Sequence, residues 1–256
     1  MAVKNESDSK ENSIVLAMVM LQTIEVFNFG AFKKDLINYY NYNIRDKSDK
    51  DDTVTFQVEG ETVAIMFMPF PIPEGDIEAT SKYAYNWKTA ADDLKDHKAH
   101  IVISLIWGGN DAKKRFKILT SAVCSILRTH KASGVYVGAQ SLLIPKQQYI
   151  NEVKNRGIDE LLLNLWIYFG MRTINEKNYG YTYGLSAFNK KELEILHSEK
   201  SLREIREFLY NMAHYVLDAD IEFETGQTCG VSENERIKIT LSKGYFVKGE
   251  TFKLAY

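Results

Sequence analysis

Cysteine, proline, long apolar runs and an excess of either charge are all scarce in this chain. Two cysteines occur among 256 residues, Cys124 in a helical pattern and Cys229 beside glycines. That excludes a disulfide framework and a cysteine-built metal site, and points to a reducing compartment. The first apolar run, Ile14 to Leu21, is too short to cross a bilayer, and residues 1–13 carry Lys4, Glu6, Asp8, Lys10 and Glu11 in place of a leader pattern. We therefore expect a flexible, solvated N-terminus over 1–13, no membrane insertion and a cytoplasmic protein. Lys and Arg number 32 against 34 Asp and Glu, a net charge of -2, so nothing draws the whole chain to nucleic acid and no nucleic-acid partner is expected.

What is present is a mixture of strand and helix patterns. Ile14 to Leu21 reads as a buried strand, and Phe32, Leu36, Ile37 and Tyr40 then fall at helical spacing. The charge cluster Asp46 to Asp52 reads as a loop. Thr53 to Val58 and Thr62 to Met68 flank Glu59-Gly60-Glu61 as a hairpin. Three of the four prolines lie in Met68-Pro69-Phe70-Pro71-Ile72-Pro73, a stiff extended exit from the strand. Helical spacing continues from Asp76 to His97, a strand covers His100 to Trp107, and a helix covers Ala112 to His130 with Asn110 or Asp111 as its cap. Farther on we expect a strand at Gly134 to Gly138, a helix opened by Pro145, a strand over Leu161 to Ile174 with a hairpin partner over Tyr179 to Phe188, and a helix from Ser201 to Asp218. The fold class is α+β. Element order suggests two pseudo-repeated ferredoxin-like (βαββαβ) halves, 14–107 and 108–256, packed as one domain over 14–256, because no linker composition separates them.

Few residues invite a chemical reading. His97 and His100 with Asp92, Asp93 and Asp96 suggest a metal pair, but a solvated helix end is the better account and no metal is expected. His214 shares a helix side with Tyr210 and Leu217. An acid–base site would draw on His214, Asp218, Glu233 and Glu235. Cys124 reads as a small buried hydrophobe, and Cys229 as part of a glycine turn. Gly108-Gly109-Asn110 ahead of a helix raises phosphate binding, yet no P-loop, dinucleotide fingerprint or nucleophile elbow follows, so no cofactor is expected. Lys113, Lys114, Arg115 and Lys117 read as a solvated basic face.

The strings Met68 to Pro73, Gly134-Val135-Tyr136-Val137-Gly138, Asn211 to Asp218 and Gly226-Gln227-Thr228-Cys229-Gly230, followed by Glu235-Arg236-Ile237, occur in that order. Together they resemble the bacterial domain-of-unknown-function family 4261 from Ile14 onward. That resemblance implies no activity or ligand. Its likeness to accessory and immunity proteins around bacterial toxins implies a stoichiometric binder.

The expectation is accordingly a non-enzymatic protein-binding module, an immunity or accessory protein whose partner is a toxin, with Tyr83, Tyr85 and Trp87 as the contact residues, since aromatic side chains carry interface energy. The alternative is an enzyme acting on a small substrate around His214.

Overall fold

In the computed structural model, residues 14–50, 53–230 and 236–256 are described. The chain opens with β1 (Val15–Leu21), whose alternate residues Val15, Ala17, Val19 and Leu21 are buried in the main core. Next is α1 (Phe29–Tyr40), begun by Asn28, whose side chain accepts the Ala31 N–H, and ended by Asn41 in the left-handed conformation. Three antiparallel strands follow, β2 (Arg45–Lys50), β3 (Thr53–Val58) and β4 (Glu61–Met68). The expected hairpin is β3–β4, and its two turn residues, Glu59 and Gly60, both have positive φ, as a tight two-residue hairpin requires. The expected loop at Asp46 to Asp52 is corrected over its described part. Arg45–Lys50 pairs with β3 as the outermost strand, and its charges suit an edge that must not recruit another chain.

The short helices α2 (Glu74–Ser81) and α3 (Ala90–Leu94) lead to β5 (Ala99–Trp107). Then come α4 (Ala112–Thr129), capped by Asp111 on the Lys114 N–H, β6 (Ala132–Val137), β7 (Leu142–Pro145) and α5 (Lys146–Arg156). The seven strands form one antiparallel sheet in the order β2-β3-β4-β5-β1-β6-β7. Within it, β1-α1-β4-β5-α4-β6 has the ferredoxin-like order β4-β5-β1-β6. Its two helices pack together, joined by Arg128 of α4, which holds Asp35 of α1 through both Nε and Nη2. The β2–β3 extension and β7 widen this sheet at its two edges.

The strand expected over Leu161 to Ile174 is helical in its first part, α6 (Leu163–Trp166), and extended only in β8 (Tyr168–Ile174). Beyond it lie β9 (Lys177–Tyr183), β10 (Leu193–Ser198), α7 (Leu202–Asp218), β11 (Thr228–Cys229), β12 (Ile237–Lys243) and β13 (Glu250–Leu254). A Ser201–Glu204 capping box opens α7. The second sheet runs β11-β12-β13-β10-β9-β8, with β10 and β13 parallel and α7 in the crossover between them. This is a meander with one helix, so the ferredoxin-like arrangement is not repeated in it. The divide between sheets falls after Pro145, whereas a boundary at 107/108 would cut the first sheet between β5 and β6.

A single core cluster joins the two sheets. Helix α4 lies at its centre, with Phe116 stacked on Phe188 at 4.6 Å and beside Trp166 at 5.8 Å. Thr120 accepts the Trp166 indole N–H at 2.9 Å. At its N-terminal end the buried Arg115 pairs with the buried Glu61 at 3.1 Å and donates to the Leu105 carbonyl at 2.7 Å. Glu61 also accepts the Gly109 N–H at 2.8 Å, and a Cβ on Gly108 would stand 1.9 Å from its carboxylate. Gly108-Gly109 thus makes room for a carboxylate of the protein itself, which replaces the phosphate reading.

Removing one member strands the other charge in the core. Glu61→Ala and Arg115→Ala are each expected to lower unfolding free energy by about 3–5 kcal/mol, with a Glu61→Met/Arg115→Met double variant costing less than either. Gly108→Ala is expected to be destabilised in the same direction by displacing Glu61. Urea titration followed by circular dichroism measures all four.

Candidate functional site

Two clefts collect polar side chains. The first, about 490 Å³, lies where the start of α4 meets the end of α7, and brings His214 and Asp218 together with Tyr42, Asp111, Asp159 and Glu160. His214 is half-buried and makes no hydrogen bond among the described residues, and Asp218 is exposed one turn later. Glu233 and Glu235 lie outside the described residues. The basic cluster forms one wall of this cleft, and its reading as a solvated face is corrected. The Lys113 ammonium donates to the Leu217 carbonyl at 3.0 Å, Lys114 to that of Glu59, and Lys117 to that of Asp159. These lysines tie α4 to the end of α7, to the β3–β4 turn and to the chain after α5. Lys113 sits where the α7 dipole favours a cation.

The other sequence candidates are structural. His97 bonds the Leu94 carbonyl through Nδ1 at 2.6 Å and accepts the Ile72 N–H at Nε2 at 2.8 Å, so both ring nitrogens are used in pinning the proline-rich exit. His100 bonds the Phe70 carbonyl at 2.9 Å, and burial lowers its pKa, favouring the neutral ring. No group of three or more metal-ligating side chains occurs among the described residues. Burial pushes the Cys124 thiol up to about 11, as befits a core residue. Cys229 belongs to β11, opposite Ile237.

The second cleft, about 610 Å³, lies on the face of the second sheet opposite α7. Alternation makes that face. Gly180 turns its missing side chain toward Ile205 and Leu209 of α7, so Tyr179, Tyr181 and Tyr183 point the other way. Register sets Tyr168 beside Tyr183 and Arg172 beside Tyr179. Tyr83 and Tyr85 reach in from the segment between α2 and α3. Tyr83 meets the Tyr168 ring at 6.3 Å and lies under the Arg172 guanidinium, while Tyr85 meets Tyr168 at 6.2 Å and accepts from Arg206 at 3.2 Å. Tyr168 touches Tyr181 at 6.0 Å, and Tyr181 stacks on Phe246 at 4.8 Å. Trp87 does not join them. It is buried against Met20 and Leu94, with its N–H donating to Asp93 at 2.6 Å, which removes it from the expected contact set.

Lysines rim this cleft. Lys190 pairs with Asp220 at 2.8 Å and Lys191 with Glu222 at 3.3 Å, whereas the exposed Lys248 makes no ion pair among the described residues. Two buried carboxylates hold the frame. Glu192 accepts from Thr182 at 2.7 Å, from the Gly184 N–H at 2.8 Å and from the Ser186 N–H at 3.1 Å, yet burial keeps its pKa raised. Burial also pushes Glu194 up, but there the donors prevail and the pKa is lowered. They are the N–H groups of Tyr245 and Phe246, the Thr251 hydroxyl and the Lys253 ammonium. Glu194 thereby fastens the loop that carries Phe246 over the sheet. The period-two tyrosines 179, 181 and 183 were the signal in the sequence for this face. Nothing local marks Glu192 or Glu194, whose donors lie mostly outside the adjoining strand.

Residues 181–255 match the family described as Domain of unknown function (DUF4261). The match takes in the Asn211 to Asp218 and Gly226 to Gly230 strings, while the proline-rich hexamer and Gly134 to Gly138 lie ahead of it. No curated protein and no solved structure matches the chain.

Because the Glu194 pKa is depressed by folding, its stabilisation is complete above the unfolded value of about 4.3 and is lost as pH falls through the lower folded value. Glu194→Gln is expected to flatten the acid limb of stability against pH, and to reduce hydrogen-exchange protection at Tyr245, Phe246 and Val247. Exchange mass spectrometry with urea titrations between pH 3 and 7 checks both.

Proposed function

We propose that this chain is a non-enzymatic protein-binding module of the immunity type, which neutralises a toxin by occluding it, and that the partner seats on the aromatic cleft of the second sheet. The observation that carries this reading is the unbroken series of ring contacts from Tyr85 through Tyr168 and Tyr181 to Phe246. It leaves Tyr83, Tyr85, Tyr183 and Tyr245 between 37% and 58% exposed. Aromatic rings already fixed by neighbours lose little side-chain freedom on binding, and such rings dominate interface energetics. Lys248 at the rim favours an acidic segment on the partner.

A second reading has its own observation. His214, an imidazole without a hydrogen-bond partner among the described residues, shares a cleft with Asp111, Asp159, Glu160 and Asp218. Such a set could shuttle protons on a small substrate.

The two readings separate in one experiment. Tagged chain is recovered from its native cell, any stoichiometric partner is identified by mass spectrometry, and the complex is rebuilt from two purified proteins for calorimetry. A Tyr83→Ala/Tyr85→Ala variant is expected to bind at least about tenfold more weakly, the signature of losing contacts worth about 1.4 kcal/mol or more. His214→Ala is expected to bind as the parent does. Absence of a stoichiometric partner, or unchanged affinity in the tyrosine variant, would overturn the binding assignment. A bound small metabolite released by His214→Ala would favour the enzyme.

A further inference from the structure

A smaller polar cleft of about 310 Å³ opens where the end of α5, α6 and the first half of α7 meet, lined by Arg156, Asn164, Arg206, Glu207, Tyr210 and Asn211. A chain of polar contacts fixes its two guanidinium groups. Arg156 pairs through Nε with Glu152 at 2.8 Å, and the same Glu152 oxygen accepts from the Asn164 side-chain amide at 2.8 Å. The Asn164 oxygen in turn accepts from Nη2 of Arg206 at 2.8 Å, and Nε of Arg206 donates to the Tyr85 hydroxyl at 3.2 Å. Two adjoining rings support them. Arg156 lies 5.4 Å over Tyr210 and Arg206 5.6 Å over Phe169, with the ring centroids 5.7 Å apart. Arginines ordered in this way have little freedom left to lose on binding a ligand.

The hydrogen-bonding capacity left over defines what the cleft can take. Nη1 and Nη2 of Arg156 and Nη1 of Arg206 make no hydrogen bond among the described residues. Glu152 answers the charge of Arg156, and Glu207 is held by Arg203 at 2.9 Å. Arg206 is different, because its partners among the described residues are a hydroxyl and an amide oxygen, both neutral. In the same wall the Tyr210 hydroxyl is buried and has no hydrogen-bond partner among the described residues. A donor buried without an acceptor costs stability until something supplies one.

We infer that this cleft binds a carboxylate group between Arg156 and Arg206. The free Nη edges of the two guanidiniums suit its planar pair of oxygens, and charge-assisted hydrogen bonds of this kind are the strong ones. One unanswered cation calls for one negative charge, whereas a doubly charged phosphate would also meet Glu152 and Glu207. The Tyr210 hydroxyl supplies a further donor once Arg156, whose side chain is 44% exposed, slides off the tyrosine ring to meet the ligand. Two sources present such a group, a free small acid and an acidic side chain of a protein. The site does not depend on the aromatic cleft as the seat of a partner, although Arg206 joins the two through Tyr85.

Nitrogen-15 NMR of the purified chain tests the assignment, with sodium chloride exchanged at constant ionic strength for sodium acetate, for the sodium salt of N-acetylglutamate α-amide, or for sodium phosphate. The Arg206 Nε–H and the side-chain amides of Asn164 and Asn211 are expected to shift along one saturating curve with a carboxylate. Tighter binding of acetate assigns a free acid, and tighter binding of the glutamate derivative a protein side chain. Arg206→Gln is expected to weaken binding about tenfold, the loss of one charge-assisted hydrogen bond. Tyr210→Phe, which removes no contact within the chain, is expected to weaken it about threefold while thermal unfolding is unchanged or raised. Lys33→Gln, the same change of charge at an exposed position on α1, is expected to bind as the parent does. No saturable shift with either carboxylate, phosphate binding tighter than both, or affinity indifferent to both Arg206→Gln and Tyr210→Phe would overturn the inference.

Discussion

The architecture depends on α4 having to satisfy two partners at once. An amphipathic helix on a sheet ordinarily buries one stripe and leaves the rest to solvent. Of the 18 residues of α4, 12 are buried. One side lies on β1, β5 and β6, and another side meets Trp166 and Phe188 on the approach to the second sheet. Burial on that scale leaves little room for charge, and Arg115 is the residue that pays. Its guanidinium is tolerated because Glu61 and the Leu105 carbonyl meet it, and Glu61 is tolerated because Gly108-Gly109 yields the space for its carboxylate. The seat of α4 on the first sheet is therefore specified by a polar contact inside an apolar one, a pattern that favours one geometry over many of similar packing energy.

That coupling explains which features were legible in the sequence. The helix at 112–129 was readable from its apolar spacing, and the β3–β4 hairpin from Glu59-Gly60, because both signals are local. The charged stretch from Asp46 to Asp52 read as loop since nothing in its composition reveals the sheet-edge strand Arg45–Lys50, where polar residues are favoured for reasons of assembly. Leu163–Trp166 read as strand because a short apolar run carries no period, and the choice was made by Trp166 needing to reach Thr120 on α4. The ferredoxin-like order was present, but through β4, β5 and β6, which no spacing rule selects over the nearer alternative.

The site candidates divide along the same line. Tyr83 and Tyr85 were readable as aromatics next to a stiff segment, and they meet the second sheet through Tyr168. Trp87 looked equivalent, but in the turns between α2 and α3 its ring lies in the satellite core while Tyr83 and Tyr85 stay exposed. The basic run at 113–117 looked like a solvated face, whereas three of its cations hold carbonyl oxygens of distant segments and the fourth is Arg115. Pairing partners that are tens of residues away leave no trace in a window of sequence.

The histidines carry the argument about function one step further. His97, His100, His130 and His197 each bond a backbone or side-chain group that holds the fold in place. An imidazole so engaged is a structural spacer. His214 differs in lying at a cleft with carboxylates near it, yet the lysines of that same cleft are spent on holding α4 to its neighbours, which makes the wall a brace before it is a reaction centre. The aromatic face is the reverse case. Its frame is held from beneath by Glu192 and Glu194, so Tyr83, Tyr85, Tyr183 and Tyr245 can remain exposed at no cost to the core. Surface aromatics supported in this way are more useful for recognition than for stability, and that asymmetry is why binding is the stronger of the two readings.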